Sequence, residues 1–103
     1  MEIHIHIGPD SLEAERPFPR GAEADCGAEA VFRGMVRATE NGRPITALEY
    51  QAYQPMAERE IRRLIEVLAK RYPCQAVAVR HRIGMIPVGE TAIIVRVAAT
   101  HRA

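Results

Sequence analysis

Segment 91–100 is apolar at both parities of a strand. Ile93, Val95, Val97 and Ala99 would lie on one face and Ala92, Ile94 and Ala98 on the other, and only Arg96 interrupts them. A strand of this kind is central in its sheet and covered on both sides. The chain offers a single long amphipathic helical pattern, and one helix covers one face of a sheet. The second face therefore needs a further segment, the loop after the first strand, or another chain. Another chain is the expectation here, because leaving such a surface wet costs on the order of 25 cal/mol per Å².

The rest of the chain supplies the partners of that strand. Ile3, Ile5 and Ile7 alternate with Glu2, His4 and His6, the period of a half-buried strand, and Gly8-Pro9-Asp10 ends it. Segment 11–27 is polar and carries Pro17, Pro19, Gly21 and Gly27, so it reads as loop with at most one helical turn near Leu12 to Glu15. A second strand is expected over 28–37. Asn41-Gly42 then signals a hairpin, since both residues tolerate positive φ, and a third strand over 45–53 is expected to return antiparallel to the second. Pro55 opens a helix over 55–72, with Ile61, Leu64, Ile65, Leu68 and Tyr72 on one face, and Pro73 closes it. A fourth strand over 76–83, a turn-rich connection over 84–90 and the fifth strand complete an α+β fold. Its sheet is mostly antiparallel, with about five strands, and the 103 residues read as a single domain.

Charge and composition exclude several functions. The net charge of +1 gives no support to a nucleic-acid binder. No run approaches the roughly 18 apolar residues of a membrane span, and no export signal opens the chain, so a cytoplasmic location is expected. Cys26 and Cys74 lie far apart, without CxxC or metal-ligand spacing, and read as structural thiols. His4 and His6 share a strand face, but there is no HExxH or Cys/His cluster, and neither a metal nor a cofactor is expected.

The distribution of basic residues is more informative. Thirteen of the fourteen are arginine, and Lys70 is the only lysine. Lys70 lies on the polar helix face at i,i+4 from Glu66, where a solvated ion pair is expected. Arg33, Arg37, Arg80, Arg82, Arg96 and Arg102 fall instead on or beside strands, accompanied by His81 and His101. A guanidinium offers a rigid fork of donors that suits phosphate or carboxylate. Few acids share those strands, mainly Glu29, Glu49 and Glu90, so some of these arginines are expected to be left for an anion.

Four stretches in register carry a resemblance. They are the run from Gly27-Ala28-Glu29-Ala30-Val31 through Phe32-Arg33-Gly34-Met35-Val36-Arg37, then Leu48-Glu49-Tyr50 with Tyr53-Gln54-Pro55-Met56, then His81-Arg82-Ile83-Gly84 with Val88-Gly89-Glu90, and finally Thr100-His101-Arg102. Together they resemble the large, catalytic subunit of molybdopterin synthase. The resemblance implies an α/β hammerhead-like fold, a homodimer, and a small ubiquitin-like sulfur-carrier partner whose C-terminal Gly-Gly thiocarboxylate enters a pocket. Two such sulfurs would convert cyclic pyranopterin monophosphate, a pterin phosphate, into the dithiolene of molybdopterin. By matching position Phe32 and Arg37 would line the pocket, His101 and Arg102 would hold the phosphate or the carrier tail, and His101 is the candidate acid or base. His81-Arg82-Ile83-Gly84 and Gly89-Glu90 read as structural. The family's lysine-bearing segment after the His-Arg pair has no counterpart here, so the chain is expected to bind substrate or carrier tail and to turn over slowly alone. A non-catalytic homologue that binds the same ligands is the alternative.

Overall fold

The protein is described from a computed structural model, which covers residues 1–14 and 26–100. Strands β1 (Glu2–Gly8), β2 (Ala28–Met35), β3 (Thr39–Glu40), β4 (Arg43–Pro44) and β5 (Ala47–Tyr50) precede helix α1 (Gln54–Arg71), and β6 (Ala76–Arg82), β7 (Gly84–Pro87) and β8 (Thr91–Ala99) come after it. The main sheet has the order β1-β6-β8-β2, parallel only between β1 and β6. Strand β8 is thus bonded on both edges, as its two-sided apolar pattern requires. The architecture is α+β.

Cross-strand register assigns the faces. Ile3, Ile5, Val77, Val79, Val95, Val97 and Phe32 share one face, and His4, Ala78, Arg80, Ile94, Arg96 and Val31 share the other. Helix α1 begins with a proline in its first turn and ends at Tyr72, whose N–H donates to the Leu68 carbonyl at 2.8 Å. It lies on the first face but has no fully buried residue. Leu64, Leu68 and Tyr72 remain 47, 56 and 63% exposed. Between the helix and the sheet runs an apolar cleft of about 290 Å³, walled by Ile65, Leu68 and Tyr72 on one side and Val77, Val95 and Val97 on the other.

The opposite face is better covered, and its cover corrects the expectation of another chain there. The loop after β1 supplies part of it: Leu12 is 1% exposed, and Arg80 donates to the Ala14 carbonyl at 3.3 Å. Ala92, Ile94 and Ala98, the apolar β8 residues of that face, are all buried. A small cluster of Ala76 and Ala98, with Cys26 and Ala78 against it, lies on the same side.

A second correction concerns 45–53, which does not run back along β2. The hairpin forms where Asn41-Gly42 places it, with φ of 52° and 77°, and β3 pairs with β4. Its ladder ends at Ile45, whose N–H donates to the Ala38 carbonyl at 2.9 Å. Further pairing with the second strand is blocked because the Val36 backbone is already satisfied elsewhere. Its N–H donates to the Glu90 carbonyl at 3.0 Å, and its carbonyl accepts from the Gly89 N–H at 2.8 Å. The returning chain therefore pairs with residues read from sequence as a turn, and β5 and β7 form an antiparallel two-stranded sheet. Val36, Ile86 and Ala92 make the core beneath it, with Ile45, Leu48, Tyr50 and Val88 packed around them.

No helix among the described residues is long and apolar enough to cross a membrane. Because Leu12 is 1% exposed, Leu12→Ala is expected to lower stability by about 2–5 kcal/mol in urea unfolding. Leu64→Ala, on the open side of the helix, is expected to change it far less.

Candidate functional site

The strand arginines are mostly engaged within the fold. Arg96 Nη1 lies 2.8 Å from Glu29 Oε1 across the β2–β8 ladder, and Arg82 Nη1 lies 2.7 Å from Glu90 Oε1. Arg33 Nη1 donates to the Thr91 hydroxyl at 2.9 Å. These internal partners narrow the set of guanidinium groups available to an external anion. Glu49, read as a possible arginine partner, instead accepts from Gln51 Nε2 at 3.2 Å.

Arg37 differs from the others. It comes two residues after β2, its side chain is 77% exposed, and its contact is a long one of 3.4 Å to Glu40 Oε2. A salt bridge at that distance and exposure is worth little and is readily exchanged for a better anion. Phe32 sits five positions earlier on the helix-side face, opposite Val95 and 63% exposed. An exposed phenylalanine can pack a flat ring or an extended peptide, and an exposed, weakly held guanidinium can hold a phosphate or carboxylate.

His101 and Arg102 lie outside the described residues, as does Glu15 of the suggested helical turn. Strands β2 and β8 are antiparallel, with Met35 opposite Thr91 and Ala28 opposite Ala99. Arg37 lies beyond the Met35 end, whereas Thr100, the residue before His101, lies beyond the Ala99 end. The nine residues of β8 span roughly 27 Å at ~3.3 Å per residue.

Sequence reasoning missed the residues that organise the Arg37 end. Glu13, in the loop after β1, accepts a hydrogen bond from the Thr91 N–H at 2.7 Å. That bond holds the Glu13 carboxyl below its ordinary range; a desolvation contribution opposes it, and the Thr91 hydroxyl and the charges of Arg33 and Arg82 add to it. Arg82 Nε is buried and finds no hydrogen-bond partner among the described residues. The only available signal was an acid in a loop of unassigned position, too general to single out Glu13. His81 Nδ1 donates to the Arg82 carbonyl at 2.7 Å and its ring stands edge-on to Tyr50 at 5.3 Å, a packing role. His4 Nε2 reaches Glu2 at 3.5 Å, and no group of three or more His, Cys, Asp or Glu among the described residues could hold a metal. Lys70 is exposed on the helix.

With that geometry in place, the relatives are decisive. The family model described as MoaE protein matches residues 8–103. The chain belongs to the MoaE family. It is 42% identical over 78 residues to the molybdopterin synthase catalytic subunit of Homo sapiens, covering 76% of this chain and 42% of that protein. The chain thus spans about two-fifths of the length of this curated relative. A MoaE structure from Burkholderia ambifaria superposes with a TM-score of 0.78 at 26% identity, covering 99% of this chain and 67% of that one. Molybdopterin synthase from Staphylococcus aureus gives 0.71 at 28% identity, covering 98% and 71%. The α+β architecture is therefore that of the MoaE family.

The Glu13 geometry carries a pH dependence. Since its folded pKa lies below the ordinary 4.5, Glu13 adds stability that is present above that value and is lost as pH falls through the lowered folded one. Glu13→Gln is expected to make urea stability less steep in this acidic window, a difference that a pH series of unfolding curves measures.

Proposed function

We propose that this chain acts in molybdenum cofactor biosynthesis as a large-subunit-type component of molybdopterin synthase, transferring sulfur from a carrier thiocarboxylate to cyclic pyranopterin monophosphate. Family membership over residues 8–103 is the observation that carries the reading. The exposure of Phe32 and the weak engagement of Arg37, five positions further along the same segment, support it chemically. Arg37 would bind the pterin phosphate or the carrier's terminal carboxyl group, and Phe32 would pack against the ring or the extended Gly-Gly tail. The partner is a small ubiquitin-like sulfur carrier, and the setting is the cytoplasm.

The remaining site residues belong to the same proposal. Arg102 would supply a second guanidinium, and His101, whose type titrates near neutrality, would move protons at the substrate. Within one chain Arg37 and the attachment point of His101 lie at opposite ends of β8. A homodimer in which one copy supplies Phe32 and Arg37 and the other supplies His101 and Arg102 reconciles the set. Two features support self-association: among the described residues β2 has a neighbour on one edge only, and Val31 and Phe32 stand 49 and 63% exposed on its two faces.

Incubating the protein with thiocarboxylated carrier and cyclic pyranopterin monophosphate, and assaying dithiolene, tests the activity. Product formation supports the sulfur-transfer reading, whereas tight binding of both ligands without product favours the non-catalytic alternative. Arg37→Ala is expected to weaken pterin-phosphate affinity by about 1.5–3 kcal/mol in calorimetry, and Lys70→Ala to leave it unchanged. A silent Arg37→Ala with a damaging Lys70→Ala would overturn the site. In sedimentation at micromolar concentration a dimer is expected; a monodisperse monomer that binds no dye for exposed apolar surface would refute self-association.

A further inference from the structure

The ladder between β2 and β8 is irregular just before Arg37. Gly34 pairs with Ile93 and Met35 with Thr91, so Ala92 on β8 has no partner of its own. An extra residue of this kind bends the strand and re-aims the neighbouring side chains. At the same place Thr91 is 1% exposed, and its backbone N–H donates to a side chain from another part of the chain, the Glu13 carboxylate at 2.7 Å. The Thr91 hydroxyl accepts from Arg33 Nη1 at 2.9 Å. Its neighbour Glu90 is held by Arg82 at 2.7 Å. The same turn holds Val36, the residue before Arg37, through the paired Val36–Glu90 and Gly89–Val36 backbone bonds of 3.0 and 2.8 Å.

We propose that Glu13 is a positioning residue for Arg37: by capping the Thr91 N–H between Arg33 and Arg82, it fixes the bulge and the 89–91 turn from which Arg37 is presented. This rests on the reading of Arg37 as the anion-binding group of the site.

The physical case is that each connection leaves little freedom. Without the carboxylate, a backbone donor that is almost fully buried would lose its partner, and an unmade buried hydrogen bond is more costly than a made one is favourable. The least disruptive escape is for the 89–91 turn to shift toward water. Val36 is bonded to that turn by both its N–H and its carbonyl, so the shift is passed directly to the residue that precedes Arg37. Charge reinforces the arrangement. The described groups that face the Glu13 carboxylate are Thr91 and the cationic Arg33 and Arg82, and the anionic Glu90 is drawn off onto Arg82. The lowered pKa of Glu13 agrees with a carboxylate seated among donors.

The test is a double-mutant cycle on the full chain with two readouts. Amide hydrogen exchange reports on Val36 and Gly89, and calorimetry with cyclic pyranopterin monophosphate reports on the site. Glu13→Ala is expected to speed exchange at both amides at least about 10-fold while the β1 and β6 amides keep their protection. It is expected to weaken binding about 3–10-fold. Glu13→Gln, whose carbonyl oxygen still accepts from the Thr91 N–H, is expected to restore most of the protection. In the Arg37→Ala background, Glu13→Ala is expected to cost no further affinity, because a residue that acts through Arg37 has nothing left to position. Unchanged exchange at Val36, or losses of affinity that add, would overturn the proposal. Should Glu13→Ala fail to fold, the same cycle is run with Glu13→Gln and Glu13→Asp, whose shortened carboxylate is expected to lose protection that Gln retains. A silent Arg37→Ala would overturn the site reading instead, and the exchange data would then judge the Glu13–Thr91 clamp alone.

Discussion

Strand β8 must be hydrogen-bonded along both edges and covered on both faces, and most of the structure depends on that requirement. Its edges are taken by β6 and β2, both antiparallel to it. Its two faces are met in different ways. On one side α1 approaches but leaves an apolar cleft of about 290 Å³, so Val95 and Val97 are only partly withdrawn from water. On the other side Ala92, Ile94 and Ala98 are buried, and the segment after β1, with Leu12 1% exposed, contributes to the cover.

The ends of β8 have opposite characters. At its start a bulge, a buried threonine, two arginines and two glutamates meet within a few residues. Backbone donors and acceptors that leave the regular ladder there are satisfied by side chains and by the Gly89-Glu90 turn, so the irregularity is fully bonded at Val36 and Thr91. Arg37 emerges from this well-anchored place with a loosely held side chain, a combination suited to meeting an anion from outside. At the far end lies Thr100, held to Gln75 and succeeded by the His-Arg pair. Under the proposed function the reaction needs groups from both ends, and a twofold assembly of the chain is the economical way to join them.

Much of the fold was legible in local pattern. Apolar residues at three- and four-residue spacing, framed by Pro55 and Pro73, located α1 to within one residue at each end. Asn41-Gly42 placed the hairpin because few other pairs accept positive φ at successive positions. The alternation of Ile3, Ile5 and Ile7 marked β1, and the two-sided apolar run marked β8 as central. Local pattern failed where pairing competes at a distance. Residues 45–53 looked ready to return along β2, but the turn at 89–90 had already taken the Val36 backbone, and β7 was the partner left. The arginines were read as candidates for an anion because the acids near them in sequence are few; folding brought Glu29, Glu90 and the Thr91 hydroxyl to them, and Glu13 to Thr91.

By itself, the sequence determined β1, β2, α1, β6 and β8, the hairpin at Asn41-Gly42, the central place of β8, and the family through Phe32, Arg37 and the motifs around His81 and Gly89. These are properties of short windows, in which side-chain periodicity and backbone preference act within a few residues of one another. Tertiary structure alone decided which arginine is left available, which face the loop covers, and that a carboxylate in the loop after β1 caps a strand 78 positions away. Hydrogen-bond partners for buried or bulged backbone are chosen by proximity in space, and a periodicity in sequence carries no record of that choice.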